Sequence, residues 1–132
     1  MLDHITLGVS DFEKSVAFYD LALAPLGLSR LYTVPPELTG GILSTGYGDT
    51  RPFFWIAGQD ATQGKLHLAF SAANREQVDA FHAAALAAGG KDNGAPGLRP
   101  HYHPDYYGAF VIDPDGFNIE AVFHGGRTTG PV

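Results

Sequence analysis

The sequence contains no cysteine, which excludes a disulfide framework and a thiolate metal site. Long apolar runs are missing too. None approaches the about 20 residues that cross a bilayer as a helix, so no membrane partner is expected. Positive charge is scarce and unclustered: eight Lys and Arg stand against 14 Asp and Glu, for a net charge of −6. That balance argues against nucleic acid and anionic membranes as main partners. The start, Met1-Leu2-Asp3-His4, lacks the basic-then-apolar pattern of a signal peptide, and a cytoplasmic location is the expectation.

What is present is ordinary for a globular domain, with 45% hydrophobic and 17% charged residues in a chain of 132. Seventeen glycines and nine prolines point to many turns. The most telling stretch runs from Asp113 to His124. Asp113-Pro114-Asp115-Gly116 is a turn, because Pro114 presets its own φ and Gly116 tolerates a positive one. The run after it alternates. Phe117, Ile119, Ala121 and Phe123 take one face of a strand, and Asn118, Glu120, Val122 and His124 take the other. Glu120 thus sits mid-strand between apolar neighbours, where a carboxylate is costly to bury unless something positive meets it.

The rest of the chain reads as two similar halves. Leu2–Val9 is a strand, with Ser10 as cap and Glu13 completing a capping box for a helix to about Ala24. Strands follow at Leu28–Val34, Ile42–Tyr47 and Phe53–Ala57. The second half has a strand at Lys65–Ser71 and a helix from cap Asn74 to about Ala88. A Gly-, Pro- and aromatic-rich segment over 91–106 reads as a loop with a short strand near its start, followed by strands at Tyr107–Ile112 and beyond the turn. The shift that carries His4 onto His67 also carries Phe18 onto Phe81 and Gly27 onto Gly90. Each half is therefore βαβββ. The expected fold is α+β, two βαβββ modules forming facing curved mixed sheets around a cavity. The domain spans 1–124, with module 1 about 1–60, module 2 about 64–124, and 125–132 a C-terminal tail.

The repeat also predicts a site. His4 and His67 lie on the less hydrophobic faces of equivalent strands, and Glu120 lies on the corresponding face of the last strand. Two imidazoles and one carboxylate match a 2-His-1-carboxylate metal set with open positions for substrate. The same shift maps Glu120 onto Ala57, so the first half offers no equivalent carboxylate; Gln59 and Trp55 share that parity. A three-ligand site is expected.

On Leu2-Asp3-His4-Ile5-Thr6-Leu7-Gly8-Val9-Ser10-Asp11, Phe18-Tyr19, Leu66-His67-Leu68-Ala69-Phe70 and Asp113 to Glu120, the chain resembles the vicinal oxygen chelate superfamily. That group includes glyoxalase I, bleomycin and fosfomycin resistance proteins and extradiol dioxygenases. The resemblance implies one divalent metal per site (Fe, Mn, Zn, Ni, Co or Mg) held by His4, His67 and Glu120, a small-molecule substrate, and a homodimer. It implies a metal-dependent enzyme of glyoxalase type, the metal acting as a Lewis acid on substrate oxygens. A single-domain dioxygenase and a non-catalytic drug-binding module are the alternatives. Arg99 to Tyr107 reads as a lid, with His101, His103 and Tyr106 as candidate proton donors. Trp55, Tyr47 and Arg99 are candidate substrate contacts.

Overall fold

The structure, a computed structural model, describes residues 1–125. The expected tail falls almost wholly outside the described residues. Module 1 runs β1 (Ile5–Gly8), α1 (Phe12–Leu23), β2 (Ser29–Val34), β3 (Ser44–Gly48) and β4 (Pro52–Ala57). Module 2 runs β5 (His67–Ser71), α2 (Arg75–Ala87), β6 (Lys91–Leu98), β7 (Tyr107–Ile112) and β8 (Asn118–Phe123). The sheets are ordered β1-β4-β3-β2 and β5-β8-β7-β6, so each module repeats the other strand for strand. In both, the first strand pairs in parallel with the last and the remaining pairs are antiparallel. A helix crossover supplies the parallel pairing. The α+β class and the two βαβββ modules are as expected.

The core lies between the sheets and the helices, and the alternation of each strand sets its membership. Leu7, Phe54, Ile56, Phe70, Val111, Ile119 and Ala121 turn inward, and α1 and α2 add Phe18, Tyr19, Leu23, Val78 and Phe81. Phe54 of module 1 meets Phe70 of module 2 edge-on at 5.3 Å, so the two modules share one apolar interior.

Two polar ties from a single turn fasten the modules together. Asp115 accepts hydrogen bonds from the backbone N–H (2.8 Å) and the hydroxyl (3.0 Å) of Ser10. Asp113 is buried, accepts the hydroxyl of Tyr19 on α1 at 2.5 Å, and accepts the N–H groups of Asp115 and Phe117, both at 2.9 Å. The capping expectation shifts by one residue as a result. Ser10 is engaged by Asp115, and Asp11 caps α1 by accepting from the Lys14 N–H at 3.2 Å. Asn74 caps α2 as expected, accepting from the Gln77 N–H at 2.8 Å.

Two boundaries bear on the site. His4 precedes β1, outside the strand expected to carry it, whereas His67 is the first residue of β5. The segment expected to be mostly loop opens with the eight-residue strand β6. Its register shifts around Gly94 and Gly97, and its place at the edge of the sheet, allow it to hold Pro96. Among the described residues no helix is long and apolar enough to cross a membrane.

Candidate metal centre

On β8 the residues that turn away from the core are Asn118, Glu120 and Val122. Glu120 is fully buried, and both its oxygens are engaged. Oε1 lies 2.8 Å from His67 Nε2, and Oε2 accepts the hydroxyl of Tyr106. The register brings these groups together. β5 pairs with β8 so that Ala69 opposes Glu120 and His67 opposes Asn118, which puts His67 two residues along on the same face. On the other side Phe110 of β7 opposes Glu120, its ring 5.9 Å from that of His67. Gly108 completes the nest: a Cβ there would fall 2.9 Å from Glu120 Oε2, so a side chain at this position would press on the carboxylate. Burial, and next the hydrogen bond to Glu120, push the Tyr106 hydroxyl well above the usual phenol range. It is therefore a neutral donor at physiological pH.

This pair suits a divalent cation. An imidazole nitrogen and a carboxylate oxygen 2.8 Å apart have close to the spacing of adjacent ligands on an octahedral ion with bonds of about 2.0–2.1 Å. Tyr106 engages the far oxygen and orients the carboxylate, as outer partners of metal ligands do. His67 is half exposed, so the pair opens to the outside along one edge. There it borders a cavity of about 510 Å³ lined in part by Lys65, Asn93 and Asn118.

The third expected ligand is elsewhere. His4 is exposed, with Nδ1 2.7 Å from Asp3 Oδ1, and Asp3 also accepts from Arg51 at 3.2 Å. Among the described residues of one chain, no three His, Cys, Asp or Glu side chains cluster as a metal site. The expected triad is thus divided, with two candidate ligands on module 2 and one on module 1.

Strand register also corrects the comparison of the two halves. Thr6 opposes Trp55 in module 1, and its counterpart Ala69 opposes Glu120 in module 2. The structural counterpart of Glu120 is therefore Trp55, and the expected match to Ala57 is two residues off. Module 2 has two extra residues ahead of its last strand, which a constant shift cannot follow. Because two is even, the inward–outward alternation still agrees, and the wrong register looks sound in sequence.

Trp55 is half-buried, meets Tyr32 edge-on at 6.3 Å, and shares with His4 and Thr6 a hollow of about 370 Å³. Tyr47 does not reach either open face. It is fully buried and donates to Asp20 at 2.9 Å, so the expectation that it contacts substrate gives way to a place in the core. The 99–106 loop closes on itself through Arg99 N–H to Tyr106 O (2.7 Å) and Tyr102 N–H to Arg99 O (2.9 Å). Of its candidate donors, only Tyr106 reaches the pair. His101 is exposed against Tyr102, with ring centroids 4.2 Å apart. His103 is buried; its Nδ1 accepts the Asp105 N–H (3.1 Å), and its Nε2 lies 2.8 Å from His124 Nδ1. The only signal of that contact in the residues is the strand parity that His124 shares with Glu120.

Comparisons with known proteins agree with this architecture. The family profile of the glyoxalase/bleomycin resistance protein/dioxygenase superfamily matches residues 1–121. A glyoxalase/bleomycin resistance protein from Albidiferax ferrireducens T118 is 35% identical, with TM-score 0.71, over 92% of this chain and 96% of that one. The chain belongs to the glyoxalase/bleomycin resistance protein/dioxygenase superfamily. More distant structures share the fold. A Listeria monocytogenes fosfomycin resistance protein, FosX, was solved in a mutant form with Mn(II) and 1S,2S-dihydroxypropylphosphonic acid. It is 22% identical, with TM-score 0.68, over 97% of this chain and 94% of its own. Glyoxalase I from Zea mays is 22% identical, with TM-score 0.67, over 93% of this chain but 46% of its own. No match is found among curated proteins.

Proposed function

We propose that this protein is a metal-dependent enzyme of glyoxalase type acting on a small oxygenated organic substrate. The observation that carries this reading is the fully buried Glu120 carboxylate held between His67 and Tyr106. His67 and Glu120 supply two ligands, and His4 of a second copy of the chain supplies the third across a dimer interface. A divalent ion bound there would supply Lewis acidity toward two substrate oxygens. Glu120 provides the charge that matches the ion, and Tyr106 fixes which carboxylate oxygen faces it. Phe110 excludes water from one side of the pair, while Asn118 and Asn93, joined by a 3.2 Å hydrogen bond, present amides at the other. These groups favour a substrate with adjacent oxygens that gains negative charge as it reacts. The aromatic face of module 1, Trp55 against Tyr32, favours a second reading as a binding module for a flat ligand.

Metal analysis tests the first reading. Untagged protein is expected to hold about one divalent ion per chain, and Glu120→Ala none. Mixing then tests the division of ligands. His4→Ala and Glu120→Ala, each unable to bind metal alone, should recover about a quarter of the sites on subunit exchange, because half the dimers carry one intact site. No metal in the wild type after reconstitution would leave the binding-module reading. No recovery on mixing, with subunit exchange confirmed, would overturn the contribution of His4 from a second chain.

A further inference from the structure

The open face of module 2 carries a guanidinium that the proposed metal pair does not use. Arg99 follows β6, and its guanidinium carbon lies 5.3 Å above the centre of the Phe110 ring. Phe110 opposes Glu120 across the β7–β8 pair, so Arg99 and Glu120 share a face. Phe110 also lies 5.9 Å from the His67 ring, so one aromatic ring separates the guanidinium from the pair.

Arg99 is not an extended surface side chain. It folds back over its own strand, donating from Nη1 to Gly97 O and from Nη2 to Ala95 O, both at 2.8 Å. Two glycines of the strand lie against it. A Cβ at Gly97 would come within 3.2 Å of Nη1, and one at Gly94 within 3.2 Å of Nη2. The head is therefore fixed before any ligand arrives. Two of its five donors are used by neutral carbonyls, and no carboxylate pairs with it among the described residues. Arg30 and Arg51, by contrast, have Asp20 and Asp3. A half-buried guanidinium stacked on a ring and short of a counter-charge is favourable ground for an anion. In a chain with net charge −6, such a local cation offsets the overall repulsion of an anion.

We propose that Arg99 forms an anion subsite that receives a carboxylate, phosphate or phosphonate group borne by the same small substrate whose adjacent oxygens meet the His67–Glu120 pair. The proposal rests on the metal-enzyme reading above and narrows its substrate class to small anions. Phe110 is the floor between the two ends. A neutral substrate would leave the guanidinium facing its apolar part.

Three chelating probes test this on metal-loaded protein by calorimetry: neutral acetohydroxamate, its carboxylate analogue malonic monohydroxamate, and phosphonoacetohydroxamate. Wild type should bind at least one anionic probe about 10- to 100-fold more tightly than acetohydroxamate, and the preferred probe identifies the anion. Arg99→Gln should level the three, with acetohydroxamate affinity and metal content unchanged. Arg99→Lys should keep part of the preference, as a point charge without the fork. Equal affinities in wild type, or a preference that survives in Arg99→Gln, would overturn the subsite. If no probe binds because the chain holds no metal, the metal reading has failed, and metal-free protein decides the subsite separately. A saturable shift of the Arg99 Nε–H resonance on titration with malonate or inorganic phosphate supports it; no shift with either overturns it.

Discussion

The two modules have the same strand order and the same helix, yet their open faces differ. Where module 2 places Glu120, module 1 places Trp55. Where His67 meets that carboxylate, His4 meets Asp3 at the edge of its sheet. The inward faces stay apolar in both: Phe54 and Ile56 in β4 answer Ile119 and Ala121 in β8, all buried. The core is closed to water, so an unpaired polar group there is costly. An open face has no such constraint and diverges with whatever it binds. The interface between the modules is also one-sided. Tyr19 of α1 reaches across to Asp113, whereas its counterpart in α2, His82, stays within its own module and bonds Asp92 at 3.0 Å.

Each asymmetry can be removed. Tyr106→Phe strips module 2 of the hydroxyl that orients Glu120, and metal affinity is expected to fall about 10- to 100-fold by competition with a fluorescent chelator. Unchanged affinity would show that the face of module 2 works without its outer partner. Trp55→Glu gives module 1 the carboxylate it lacks, in the register of Glu120. Metal affinity should then rise by about tenfold, since a fourth ligand of matching charge is added to the set. A drop in affinity would mean that Trp55 faces away from the ion.

The one-sided tie is broken by Tyr19→Phe, which leaves a buried Asp113 oxygen without its donor. A loss of about 1–3 kcal/mol in urea unfolding is expected. Asp113 itself sets the smallest effect. Burial raises its carboxyl above the usual range, against the hydrogen bonds that lower it. A raised carboxylate means that the folded state holds its proton more tightly than the unfolded chain. The contribution of Asp113 to stability is therefore greatest below its unfolded value near 3.8, and is reduced as pH rises through the folded value. Asp113→Asn should remove that slope, so the stability of wild type relative to the variant should decline across the window in parallel urea titrations.

Much of this was legible in the residues. Strict alternation marked the inward set of β8, and the matched histidines, phenylalanines and stop glycines exposed the duplication. The cap at Asn74 could be read because its side chain bonds locally, to the Gln77 N–H. The cap at Ser10 could not, since Asp115, far away in the chain, takes its hydroxyl. Nor could the true counterpart of Glu120, because an even insertion leaves the alternation intact. Tyr47 and Trp55 looked alike as strand aromatics, and only the packing sent one to the core and the other to an open face.

The α+β class, the two modules and the face on which Glu120 lies follow from the order of the residues, because local periodicity and turn chemistry specify them. Folding in three dimensions was needed to bring Glu120 to His67 and Tyr106, to set His4 apart from them, and to lay Arg99 over Phe110. Those contacts join residues far apart in the chain, and strand register and packing, which no local pattern encodes, set their distances.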